Sequence, residues 1–229
     1  MYAFPLIPIG MRGADSHRIS GFTEFWQQTC RLRVMPTTHL LYLHGFRSSP
    51  RSAKAVLMAE RMRDRHPDVV WWCPQLPPSP AEAMAMVAAG TAGWPRKTMA
   101  VIGSSLGGFY AGWVQATGAC ARAVLINPAV HPARDLARYI GEQTSWHDPA
   151  DSFYFRPEYV DQLRALAHTA PTDPHRTMAW VAQGDEVLDW REMAAWCAGA
   201  DLHVLPGGDH ALSDFPEHLA SIESFLALD

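Results

Sequence analysis

The run Met99–Trp113, MAVIGSSLGGFYAGW, carries the pattern G-x-S-x-G at Gly103–Gly107 between an apolar stretch and a helix-compatible one. A serine at the apex of a sharp strand-to-helix turn is held with its hydroxyl exposed, and the flanking glycines remove side chains that would collide there. Ser105 is therefore the candidate nucleophile. A serine hydroxyl is a weak nucleophile at neutral pH, so it needs a base to take its proton and an acid group to hold that base in one tautomer. With this turn the expected chain order is Ser, then Asp or Glu, then His. Ser105, Asp185 and His210 follow it, each after an apolar run, and His210 sits in a Gly-Gly-Asp-His turn that leaves its ring free to swing.

Three acids compete for the orienting role within GDEVLDWRE. Asp185 comes first after the apolar run and so emerges at the strand end where His210 also arrives. Asp189 stands three residues before Glu192 at the head of WREMAAWCA, the spacing of a helix N-cap with a reciprocal capping partner. Glu186 is expected to point away from Asp185 if the segment is extended. His44 precedes the nucleophile, which breaks the order for a base. Its expected job is to shape the turn that aims the Phe46 N–H at the substrate. That N–H and the Leu106 N–H would form an oxyanion hole, with Arg47 the alternative second donor.

These residues need a scaffold that brings strand ends together. Apolar runs at His39–Gly45, Val69–Pro74, Met99–Ile102, Arg122–Pro128, Met178–Asp185 and Leu202–Leu205 alternate with helical stretches. The first helix is expected to start at Ser49–Pro50 and the second at Ser79–Pro80 with Glu82 closing a capping box. Strands of this kind call for an α/β fold, a mainly parallel sheet of about six strands with helices on both faces. A small helical or loop insert follows the fourth strand, and its aromatics either cover a substrate pocket or pack a small subdomain. Arg47, Arg51 and Lys54, near the proposed oxyanion loop, would suit an anionic substrate group such as a coenzyme phosphate, or form a solvated helix face.

The chain has 229 residues and a net charge of −4, with no long basic run, which argues for one sizeable core and against nucleic-acid binding. Cys30, Cys73, Cys120 and Cys197 match no metal spacing and read as buried, reduced thiols; no metal or cofactor is expected, and a chelator should leave activity intact. No apolar stretch is long enough to span a membrane and no leader pattern is visible, so the expected location is cytoplasmic. Residues 1–34 read as a peripheral extension with one short helix from Phe22 to Leu32. Residues 35–229 form the expected catalytic domain, and a chain beginning at Met35 should fold and act alone.

Taken together, LYLHGFRSSPRSAKA, PQLPPSP, GSSLGGFYA, INPAVHP, QGDEVLDWRE and GGDHAL resemble the YqiA/YcfP-like esterases of bacteria, small members of the α/β-hydrolase superfamily. The resemblance runs from Met35 to the end of the chain. It implies a compact α/β-hydrolase fold acting on a small-molecule carboxylic ester or acyl-thioester, with Ser105 as nucleophile, Asp185 as acid and His210 as base. Two other readings compete: a catalytically silent binding module of the same fold, and an amidase or peptidase with the same triad.

Overall fold

In the computed structural model, which describes residues 35–146, 150 and 152–228, the apolar runs form a six-stranded sheet. Its strands are β1 (His39–Leu43), β2 (Val70–Trp72), β3 (Met99–Ser104), β4 (Arg122–Ile126), β7 (Thr177–Ala182) and β8 (Asp201–Leu205). They lie in the order β2-β1-β3-β4-β7-β8, and every pairing is parallel. The expected helix Phe22–Leu32 and Cys30 lie outside the described residues.

Side-chain alternation divides the core into two layers. Leu41, Leu43, Val101, Leu125 and Ala179 face helices α2 (Pro80–Gly90), α3 (Leu106–Ala116) and α5 (Pro157–Ala165). Leu40, Tyr42, Ile102, Val124 and Ile126 face α1 (Ala53–Arg65) and α7 (Phe215–Phe225). A sheet covered on both faces explains why the central strands are apolar throughout rather than alternating. Several histidines belong to this packing. Trp180 lies between the rings of His203 and His218, at 4.1 and 4.2 Å. Cys120 and Cys197 are buried free thiols as expected, whereas Cys73 is only half-buried; burial raises all three to about 12.

Three local expectations are corrected. α1 begins at Ala53 rather than at Ser49–Pro50, because Ser49 closes a tight turn by accepting the Arg51 N–H at 3.1 Å. The insert after β4 contains α4 (Pro132–Asp135), a short 3-10 turn and an antiparallel hairpin of β5 (Gly141–Thr144) with β6 (Ser152–Phe155), not helix and loop alone. Its strands are short and partly exposed, too brief for a period-two signal. Asp189 does cap α6 (Trp190–Trp196), accepting the Arg191 N–H at 2.9 Å. Its expected partner Glu192 is instead clamped by Arg134 at 2.9 and 2.6 Å.

Candidate active site

β3 delivers Ser105 to the rim of the sheet. The residue adopts φ 57°, a strained conformation for a side chain with a Cβ. Its main chain is held on both sides: the N–H donates to Ile126 O at 2.9 Å, and the carbonyl accepts from Gly108 and Ala129 at 2.9 and 3.0 Å. α3 then starts immediately behind it. That close passage requires glycine, since a Cβ on Gly107 would come within 2.0 Å of Leu43 O.

His210 arrives from the loop after β8, and its Nε2 lies 2.9 Å from Ser105 Oγ. Its Nδ1 lies 2.7 Å from Asp185 Oδ2. The Asp185 side chain is 0 % exposed, and its other oxygen accepts the Val187 and Leu188 N–H groups, each at 2.8 Å. A carboxylate so engaged accepts from Nδ1, which places the imidazole proton there and leaves Nε2 as acceptor for the serine hydroxyl. The structure thus brings Ser105, His210 and Asp185 into one hydrogen-bonded series, and leaves Asp189 on its helix.

Two further residues hold the histidine loop, and neither has a motif. Asn127, fully buried with φ 40°, donates its amide to the carbonyls of Asp209 and His210 at 3.0 and 3.1 Å, while its own oxygen accepts the Ala182 N–H at 2.8 Å. Its one trace in the sequence is the Asn127-Pro128 pair that ends the fourth apolar run. Glu186 does not turn away: residues 183–188 form turns and bends rather than an extended run, and Oε2 accepts the His210 N–H at 2.9 Å.

His44 is bonded within the loop after β1. Its Nε2 accepts the Leu76 N–H and its Nδ1 faces Gly45 O, both at 3.0 Å, which fixes the loop after β1. The Phe46 ring packs on Tyr139, Phe153 and Phe155 of the insert at 5.2–5.8 Å. Arg47, with φ 58°, donates from Nε to Thr144 O at 2.6 Å and lies 4.1 Å over the Trp146 ring. Among the described residues the N–H groups of Phe46, Arg47 and Leu106 have no hydrogen-bond acceptor.

Cavities of about 440 Å³ and about 290 Å³ both reach Ser105, and both are lined by Phe46, Trp146 and His210. Trp146 is 68 % exposed while Phe155 is buried, so the insert's aromatics both line the site and pack beneath it.

A family model described as "Uncharacterised protein family (UPF0227)" matches residues 39–227. The chain belongs to this family. It is the YqiA-like family whose motifs the sequence resembles. Three solved structures resemble this UPF0227 member along most of their length. A putative hydrolase from Agrobacterium vitis S4 has 17% identity and a TM-score of 0.65, with 84% of this chain and 91% of that one covered. A structure from work on LipS and LipT, two metagenome-derived lipolytic enzymes, gives 16% identity, TM-score 0.63, and coverage of 84% and 94%. Alpha/beta hydrolase domain-containing protein 10 from mouse gives 15% identity, TM-score 0.60, and coverage of 83% and 90%. At such identities the likeness establishes the α/β-hydrolase fold. Among the described residues no helix is long and apolar enough to cross a membrane.

Proposed function

We propose that this protein is a serine hydrolase that cleaves carboxylic esters or thioesters through an acyl-enzyme intermediate. The observation that carries the reading is the Ser105–His210–Asp185 series, at 2.9 and 2.7 Å, beside open cavities. His210 Nε2 takes the Ser105 proton as Oγ attacks the carbonyl carbon, and Asp185 steadies the imidazolium that forms. The tetrahedral oxyanion is received by the N–H groups of Leu106, at the positive end of α3, and Phe46. His210 then returns the proton to the leaving oxygen or sulfur, and water repeats the sequence on the acyl-enzyme.

A preference for esters is supported by the lipolytic enzymes LipS and LipT among the proteins of similar fold. Residues 35–229 would carry the whole activity, since every participant lies there. A fluorophosphonate probe tests the reading: it should label Ser105, identified by peptide mass, and Ser105→Ala should be unlabelled and inactive on p-nitrophenyl esters. A silent binding module would show neither labelling nor turnover.

A further inference from the structure

The larger cavity contains polar groups that the hydrolytic series does not use. It opens from Ser105 and His210 toward α1 and is lined there by Tyr42, Ser52, Lys54 and Ser213, with walls from Leu57 and Phe215. No carboxylate lines it among the described residues.

Lys54, in the first turn of α1, donates to the Ala211 carbonyl. Among the described residues no carboxylate lies within ion-pair distance of its ammonium. The acid that acts on it from further away is Asp209, which is already engaged by the Ser213 N–H at 2.9 Å and hydroxyl at 2.6 Å. Burial lowers the ammonium to about 8, the sign of a cation short of compensation.

Tyr42 comes from β1 and is 1 % exposed, so it belongs to the wall and its hydroxyl is closed off from the cavity. Burial pushes that hydroxyl far above its ordinary value, so it stays a neutral donor. The first turn of α1 adds the positive end of a helix, and Ser52 makes no side-chain capping bond there. The Lys54 ammonium and the helix end beside it therefore favour a ligand that carries negative charge, reached along apolar walls.

We propose that this cavity is a subsite for an anionic end of the substrate: Lys54 and the first turn of α1 receive a carboxylate or phosphate borne on a short apolar arm of the ester opened at Ser105. The inference rests on the hydrolase reading of Ser105, and the test separates the two.

Two matched pairs of esters place the anion on either half: p-nitrophenyl hemiglutarate against p-nitrophenyl pentanoate, and the pentanoate ester of 4-hydroxybutanoate against butyl pentanoate. A phosphonate in place of each carboxylate distinguishes the two anions. The wild type should prefer the anionic member of at least one pair by about tenfold or more in kcat/KM, as a charge-assisted contact implies. Lys54→Met should bring that ratio to within about twofold of unity. Because the readout is a ratio within one protein, a general loss of activity in a variant does not mimic it. Calorimetric titration of the wild type and Lys54→Met with glutarate and with inorganic phosphate gives a second measure, with binding expected only when Lys54 is present. Cleavage of neutral esters with no preference for an anion, or a preference that survives Lys54→Met, overturns the subsite and leaves the hydrolase. Lys54-dependent binding without cleavage of any ester upholds the subsite and overturns the hydrolase. Absence of both binding and cleavage overturns both.

Discussion

The body of the sheet and its C-terminal rim are built on opposite principles. In the body, β3 and β7 are buried at every position and their neighbours are apolar side chains in regular strand conformation. At the rim, Arg47, Ser105, Asn127 and Leu212 all adopt positive φ without being glycine, each in a loop that follows a strand. Such conformations cost about 1–3 kcal/mol apiece and persist where surrounding contacts over-determine them. Here those contacts are hydrogen bonds, such as those that fix Ser105 on both sides and those that tie Asn127 to the histidine loop. The body supplies stability, and the rim uses it to hold a geometry that no segment would adopt alone.

Substitutions can divide the two regions. The largest effect is expected at the rim: Ser105→Ala should lower ester turnover by on the order of 10⁶-fold. Its melting temperature should stay at or above that of the wild type, because the serine hydroxyl adds little packing. Next, Asp185→Asn should cut kcat by about 10⁴-fold by upsetting the imidazole tautomer. Near-normal turnover in that variant, with collapse in Asp189→Asn instead, would move the orienting acid. In the body, Leu125→Ala should lose about 2–5 kcal/mol in chemical denaturation while kcat per folded molecule holds. Asn127→Ala straddles the division: it removes an acceptor from a buried N–H, so about 1–3 kcal/mol of stability should go together with turnover. Loss of stability alone would show that the histidine loop holds itself. The smallest effect belongs to Asp189→Ala, about 1 kcal/mol of stability through the lost cap, with activity retained.

This division also explains what could be read in advance. The body announces itself through apolar runs and local caps such as Ser79, which does accept the Glu82 N–H at 3.3 Å. Ser105, Asp185 and His210 were legible because one turn motif and a chain order constrain them. Asn127 was not, because its partners lie far along the chain and are main-chain carbonyls, which leave no trace in residue identity. Glu186 was misjudged because its direction depends on whether a short segment is extended or turned. Lys54 reads, with Arg47 and Arg51, as suited to an anionic substrate group or to a solvated helix face; that it alone of the three lines the larger cavity depends on how α1 packs over β1. The β5–β6 hairpin escaped because four-residue strands carry too few alternations to distinguish from loop.

Asn127 has a consequence for the order in which the molecule becomes active. Its amide bonds to the Ala182 N–H at the end of β7 and to two carbonyls in the loop after β8, so it has nothing to hold until both of those strands exist. As the chain is synthesised, the nucleophile turn and its helix emerge long before the histidine that would deprotonate the serine. During that interval Ser105 is an ordinary alcohol. On the proposed mechanism reactivity would begin only when the last strand docks, and a nascent or truncated chain that stops short of β8 would carry the serine without its base.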